Sequence, residues 1–179
     1  MKNDVKEVLF SEEKIKEKVE ELGKRISKDY LGKDIIVIGV LKGANIFLSD
    51  LVRKIDMSVT VDFIDVSSYG NSTESSGVVK INKDLDFSIE NREILIVEDI
   101  IDTGLTLKYL LENLKSRKPK SISICTLLDK PERRKVNIDV DYIGFKIPDE
   151  FIVGYGIDYA EKYRNLPYIA SLKQEVYSK

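Results

Sequence analysis

The stretch Ile94-Leu95-Ile96-Val97-Glu98-Asp99-Ile100-Ile101-Asp102-Thr103-Gly104-Leu105-Thr106 decides how this chain is read. Its four leading apolar residues predict a central strand, and Leu107, Leu110, Leu111 and Leu114 then recur at i, i+3, i+4 and i+7, the spacing of one helix face. Between strand and helix fall Asp102, Thr103, Gly104, Leu105 and Thr106. At such a junction unpaired backbone N–H groups and the positive helix end converge, and Gly104 lets the main chain approach an anion closely. Glu98 and Asp99 precede it, at the carboxyl end of the strand, where ionised carboxylates can accept hydrogen bonds from sugar hydroxyls or hold Mg2+ directly or through water. A ribose bearing a phosphate satisfies both halves. On spacing alone, the same residues also read as an acidic strand end followed by an ordinary helix cap.

Outward from this centre the chain alternates strands with helices. Ser11 caps a predicted helix carrying Ile15, Val19, Leu22 and Ile26, with Glu12 and Glu13 near its positive end. Ile35 to Leu41 reads as a strand, then come Lys42-Gly43 and a helix presenting Phe47, Leu48, Leu51, Val52 and Ile55. Val59 to Val66 is the next strand, residues 67–76 form a serine-rich mobile loop or hairpin crossing, and Val78 to Ile81 returns as a short strand. Strands are expected at Ser121 to Leu128 and Val140 to Phe145, with a helix over Leu105 to Ser116. The pattern predicts an α/β fold, a parallel twisted sheet flanked by helices, with right-handed crossovers. In such sheets ligands collect beyond the carboxyl ends of the strands, where Leu41-Lys42-Gly43, residues 98–106 and Asp129-Lys130 all fall.

Composition narrows the chemistry. A chain of 179 residues suits one compact domain over 1–179. Twenty-nine basic against thirty-one acidic residues leave a formal charge of -2, which offers no broad footprint for nucleic acid. No histidine is present, which removes Ser-His-Asp triads and His-ligated zinc, and the single Cys125 allows no internal disulfide and is expected to pack as a small apolar residue. Proton transfer then falls to carboxylates, Lys, Tyr or the substrate. No apolar run reaches the roughly 18 residues needed to cross a bilayer, and the charged N-terminus is unlike a signal, so no membrane partner and a cytoplasmic location are expected. Gly154-Tyr155-Gly156 lacks the third glycine of a dinucleotide fingerprint, position 159 being Tyr, and no Gly-Lys-Ser/Thr phosphate loop occurs.

Two acids followed by Asp-Thr-Gly-x-Thr resemble the phosphoribosyl-pyrophosphate signature of the type I phosphoribosyltransferases. Leu41-Lys42-Gly43, Ser68-Tyr69, Lys130, Phe151-Ile152-Val153-Gly154-Tyr155, Asp158 and Arg164 are similar, in order, to the hypoxanthine-guanine branch of that family. The resemblance implies a small hood built from terminal segments and a flexible lid loop. It also implies transfer of a 5-phosphoribosyl group from phosphoribosyl pyrophosphate to a 6-oxopurine, with release of pyrophosphate in purine salvage, in a homodimer or homotetramer using Mg2+.

Under that resemblance Glu98 and Asp99 hold the ribose hydroxyls and Mg2+, and Asp102, Thr103, Gly104, Leu105 and Thr106 bind the 5-phosphate. Asp102 also faces the imidazole edge of the purine as general base or acid, although a helix-capping role could coexist. Lys130 contacts the 6-oxo oxygen; having only donors, it would clash with a 6-amino base. Phe151 stacks on the base and Ile152 offers backbone groups. Asp158, through a second Mg2+, and Arg164 serve the pyrophosphate, with Arg134 a weaker candidate. Leu41, Lys42 and Gly43 form a pyrophosphate loop with an expected cis peptide between Leu41 and Lys42, and Ser68 and Tyr69 lie on the lid. Three other readings compete: a relative using xanthine or adenine, a phosphoribosyl-pyrophosphate-sensing regulator that binds nucleic acid, and a doubly wound signalling domain with an acidic Mg2+ pocket.

Overall fold

Apolar residues that alternate between two buried faces explain the central layer. The computed structural model describes residues 1–68 and 79–178. Its main sheet contains β2 (Ile35–Leu41), β3 (Thr60–Ser68), β4 (Val79–Lys83), β5 (Glu93–Ile101), β6 (Ser121–Asp129) and β7 (Tyr142–Lys146), in the order β4-β3-β2-β5-β6-β7. All neighbours run parallel except β3 and β4, so the expected parallel sheet carries one antiparallel edge strand. In β2 and β5, Ile35, Val37, Leu95 and Val97 face one core, while Ile36, Ile38, Ile94 and Ile96 face the other.

Helix α1 (Glu12–Asp29) and helix α2 (Asn45–Val52) cover the first face; helix α3 (Leu105–Ser116) covers the second. Ser11 caps α1, its Oγ accepting from Lys14 N at 3.4 Å, and Ile15, Val19, Leu22 and Ile26 are buried as their spacing predicts. Gly23 lets α1 pass close to the end of α2, since a Cβ there would stand 2.5 Å from Lys54 Cβ. Helix α2 stops at Val52, short of the expected Ile55, which is nonetheless buried in the turn that follows. In α3, Leu107, Leu110 and Leu114 are buried and Leu111 packs at the margin.

A second, three-stranded sheet joins the two ends of the chain. It has the order β1-β9-β8, with β1 (Val5–Phe10), β8 (Ile152–Val153) and β9 (Ile169–Leu172) pairing antiparallel. A four-residue helix, α4 (Gln174–Tyr177), follows β9. Cys125 is fully buried within the first core, as expected, and burial pushes its thiol pKa up. No helix among the described residues is long and apolar enough to cross a membrane.

Candidate active site

Parallel strands that end together deliver their following turns to one edge of the sheet. Ile101 at the end of β5 pairs with Asp129 at the end of β6, and Lys130 N donates to Ile101 O at 3.0 Å. The turn after β5 is therefore braced directly by the turn after β6. Glu98, Asp102, Thr103, Gly104, Thr106 and Leu107 line a cavity of about 140 Å3 at the start of α3. Gly104 occupies the N-cap position with φ 81, a left-handed conformation that glycine takes without steric cost, and Thr103 supplies the side-chain acceptor at this end, its Oγ1 taking Leu105 N at 3.4 Å. Asp102 therefore does not cap α3. The remaining N–H groups of the first turn, those of Thr106 and Leu107, belong to residues that line the cavity, the arrangement that receives an anion.

The strand does not stop at Val97 but continues through Ile101, and this separates the two acids. Successive side chains point to opposite faces. Glu98 is buried and lines the cavity beside Asp102. Asp99 points to the other side and lies against Gly43, where a Cβ would stand 1.8 Å from Asp99 Oδ2. Burial and the neighbouring Asp99 charge hold the Glu98 pKa well above its ordinary value. Burial likewise pushes Asp99 up to about 6, against the opposing hydrogen bond from Ile100 N to Oδ1 at 2.8 Å.

Gly43 stands in the turn after β2, where the Leu41-Lys42 peptide is cis, as expected. Gly156 packs on the Gly43 carbonyl so closely that a Cβ would stand 2.1 Å from that oxygen. This contact brings residues 156–164 to the turn. Arg164 contacts Asp158 at 2.9 Å and donates to Gly156 O at 2.8 Å, and Lys42 reaches Glu161 at 3.1 Å. Lys42, Gly43, Asp99, Asp158 and Arg164 thus lie together at this turn. Glu161, which touches both Lys42 and Arg164, was not foreseen; it carries no motif and is revealed only by the fold. Among the described residues, no three acidic side chains gather into a ready metal cage.

On the β6 side, Lys130 is 7% exposed rather than a solvated turn residue. Its ammonium donates to Glu150 O at 2.6 Å and lies 3.7 Å from Asp149, and burial lowers its pKa. Arg133 bridges Asp149 and Asp102, its Nε 2.7 Å from Asp102 Oδ1 but too poorly aligned to satisfy that oxygen with a hydrogen bond. The Arg134 guanidinium pairs with buried Asp129 and donates to Asp102 O at 3.3 Å, while its stem lies against Gly104, so it braces the loop. The Asp129 partner could not be read from sequence because two charges five residues apart are common in turns.

Phe151 is 37% exposed, and Ile152 begins the edge strand β8. The ring of Phe151 stacks on Tyr177 with centroids 4.6 Å apart and meets Tyr159 edge-on at 5.2 Å. Ser68 ends β3; Tyr69 and the rest of the serine-rich segment lie outside the described residues. A larger cavity of about 510 Å3, between α1, α2 and residues 155–167, takes Tyr155 from the family-like motif but none of the residues given a catalytic, substrate or metal role from sequence.

The phosphoribosyl transferase domain model matches residues 7–160. A Staphylococcus aureus protein named hypoxanthine-guanine phosphoribosyltransferase is 58% identical over 178 residues, with 99% of each chain covered. The bifunctional protein TilS/HprT of Listeria monocytogenes is 56% identical across 99% of this chain, which spans only 28% of that protein's length. A crystal structure of a hypoxanthine phosphoribosyltransferase from Staphylococcus aureus superposes with a TM-score of 0.97 at 57% identity, covering 100% of this chain and 97% of that one. With the anion-receiving loop, the divided acids and the buried lysine in the order its motifs demand, the chain belongs to the phosphoribosyl transferase family.

Proposed function

We propose that this protein is a hypoxanthine-guanine phosphoribosyltransferase, moving the 5-phosphoribosyl group of phosphoribosyl pyrophosphate onto hypoxanthine or guanine and releasing pyrophosphate. The observation that carries this reading is the buried Lys130 ammonium, held on the strand end beside the anion-receiving loop at Gly104. Such a pairing gives one pocket for a phosphate and, next to it, a donor for a base oxygen. The named relatives support the same assignment.

In this reading the 5-phosphate occupies the cavity at Asp102, Thr103, Gly104, Leu105 and Thr106, accepting from backbone N–H groups and hydroxyls. Glu98 on the cavity side and Asp99 on the Gly43 side flank the strand end, so the sugar lies across it with its hydroxyls toward these acids. A divalent ion shared with substrate phosphates needs only one or two protein carboxylates, and the half-buried Asp99, set against the Gly43 turn, suits that donor role. Mg2+, when bound, would neutralise charge on the departing pyrophosphate. Lys42, the Gly43 backbone and Arg164 hold the pyrophosphate, with Asp158 fixing Arg164 and available to a second ion.

Lys130 orients the base through its 6-oxo oxygen, Phe151 stacks on the ring and the Ile152 backbone meets its edge. A bond forms between the ribose C1 and an imidazole nitrogen of the purine while the C1 bond to the pyrophosphate oxygen breaks. Asp102 takes the proton from that nitrogen. Ser68 and Tyr69 belong to a lid that excludes water. A homodimer or homotetramer in the cytoplasm completes the reading. The test is to incubate the protein with phosphoribosyl pyrophosphate, Mg2+ and each of hypoxanthine, guanine, xanthine and adenine, then separate nucleotides by chromatography. Inosine and guanosine monophosphate are expected. Absence of any nucleotide, or a product from adenine alone, overturns the proposal.

A further inference from the structure

We propose that Tyr177, in the C-terminal helix α4, backs the ring of Phe151 and thereby sets the affinity for the purine; this rests on the proposed transferase reading, in which Phe151 is the base platform. The two rings stack at 4.6 Å between centroids with an interplanar angle of 17°, while Tyr159 meets the same ring at 5.2 Å and 89°. A ring stacked on one broad face and still 37% exposed keeps surface for a ligand.

The support behind Tyr177 is itself tied down. Leu172 N donates to Phe151 O at 2.9 Å, linking the platform to the strand β9 that runs into α4. Lys173 N donates to Asp4 O at 2.9 Å, and Val176 and Tyr177 pack against the cluster of Val153, Tyr163, Leu166 and Leu172. Stacking on a ring that is already fixed avoids ordering a free side chain when the base arrives. Tyr177 is accordingly a positioning residue. It acts on the base through Phe151, and because its cluster also holds Tyr163 and Leu166 on either side of Arg164, the two substrates have to be followed separately.

The experiment compares the full chain with Tyr177→Ala, Tyr177→Leu and Tyr177→Phe in steady-state kinetics, varying hypoxanthine and phosphoribosyl pyrophosphate separately, with thermal melts alongside. Tyr177→Ala and Tyr177→Leu raise the purine KM by about three- to tenfold, the worth of one aromatic stack, with the donor KM unchanged. Tyr177→Leu keeps apolar bulk in the cluster, so it guards against a simple packing defect. Tyr177→Phe, which retains the ring, behaves as wild type. An unchanged purine KM in Tyr177→Leu, an equal rise for both substrates, or a Phe variant as impaired as the Leu variant overturns the inference. An inert wild-type chain instead overturns the transferase reading on which it stands.

Discussion

Replacing Asp99 with Asn should make the ligand-free protein more stable at neutral pH while weakening its reaction. Asp99 is raised from its ordinary 3.8 to about 6 in the fold, so the native state holds on to a proton that the unfolded chain releases. Between those two values the native state binds more protons than the unfolded one, and stability therefore falls as pH rises. The favourable contribution is complete below about pH 4 and gone once pH has climbed through 6. At about 1.4 kcal/mol per pH unit, the ionised carboxylate costs the native state about 3 kcal/mol at neutral pH, an upper figure for a side chain that retains some contact with solvent.

Asparagine removes that cost and keeps an oxygen to accept from Ile100 N at 2.8 Å. Urea unfolding of wild type and Asp99→Asn, without phosphoribosyl pyrophosphate or divalent ion, should show stabilities that coincide near about pH 4 and differ by up to about 3 kcal/mol at about pH 8. Nucleotide formation should drop in the same variant. A variant no more stable than wild type at the higher pH, or one whose advantage is greatest in acid, refutes the reasoning about Asp99.

Other substitutions probe the remaining parts. Gly43→Ala would force a Cβ to within 1.8 Å of Asp99 Oδ2; displacing that acid should lower kcat/KM by about a hundredfold, and normal kinetics would mean that Asp99 need not touch this turn. Arg134→Ala should destabilise the fold by about 3 to 5 kcal/mol because buried Asp129 loses its partner, a loss readable in urea unfolding and absent if the pair is solvated. Lys130→Gln should reduce the preference for hypoxanthine over adenine by at least about tenfold in competing-substrate kinetics, and an unaltered ratio would remove Lys130 from base selection. Leu110→Ala in the fully buried face of α3 should cost about 2 to 5 kcal/mol in chemical denaturation, with a smaller figure implying that the face collapses around the gap.

Helix α3 and strand β2 were legible to the residue, Leu105–Ser116 and Ile35–Leu41, because unbroken periodicity and clear boundaries act locally. Strand β5 was underestimated at its carboxyl end. Glu98 and Asp99 look like loop residues by polarity, yet β6 keeps pairing through Ile101 and carries both into the sheet. Their appearance as a joint pair was thus a consequence of adjacency in sequence, whereas the strand directs one to the cavity at the start of α3 and the other to Gly43. The brace from Arg134 to Asp129, the contact of Glu161 with Lys42 and the stacking of Tyr177 on Phe151 were invisible for a different reason. Each arises when separate turns meet, and no periodicity encodes it. The strands of the small sheet, six, four and two residues long, are likewise too short to announce themselves.

That small sheet gives the opening of the chain a remote influence. Strand β9 is flanked by β1 on one side and β8 on the other, and β8 follows directly on Phe151. Were the first ten residues shaved off, β9 and β8 would survive only as a lone ribbon, a unit of marginal standing in water. The damage from such trimming would surface about 140 residues downstream, as a slackened grip on the nucleobase, with the acid-bearing crest of the larger sheet left intact.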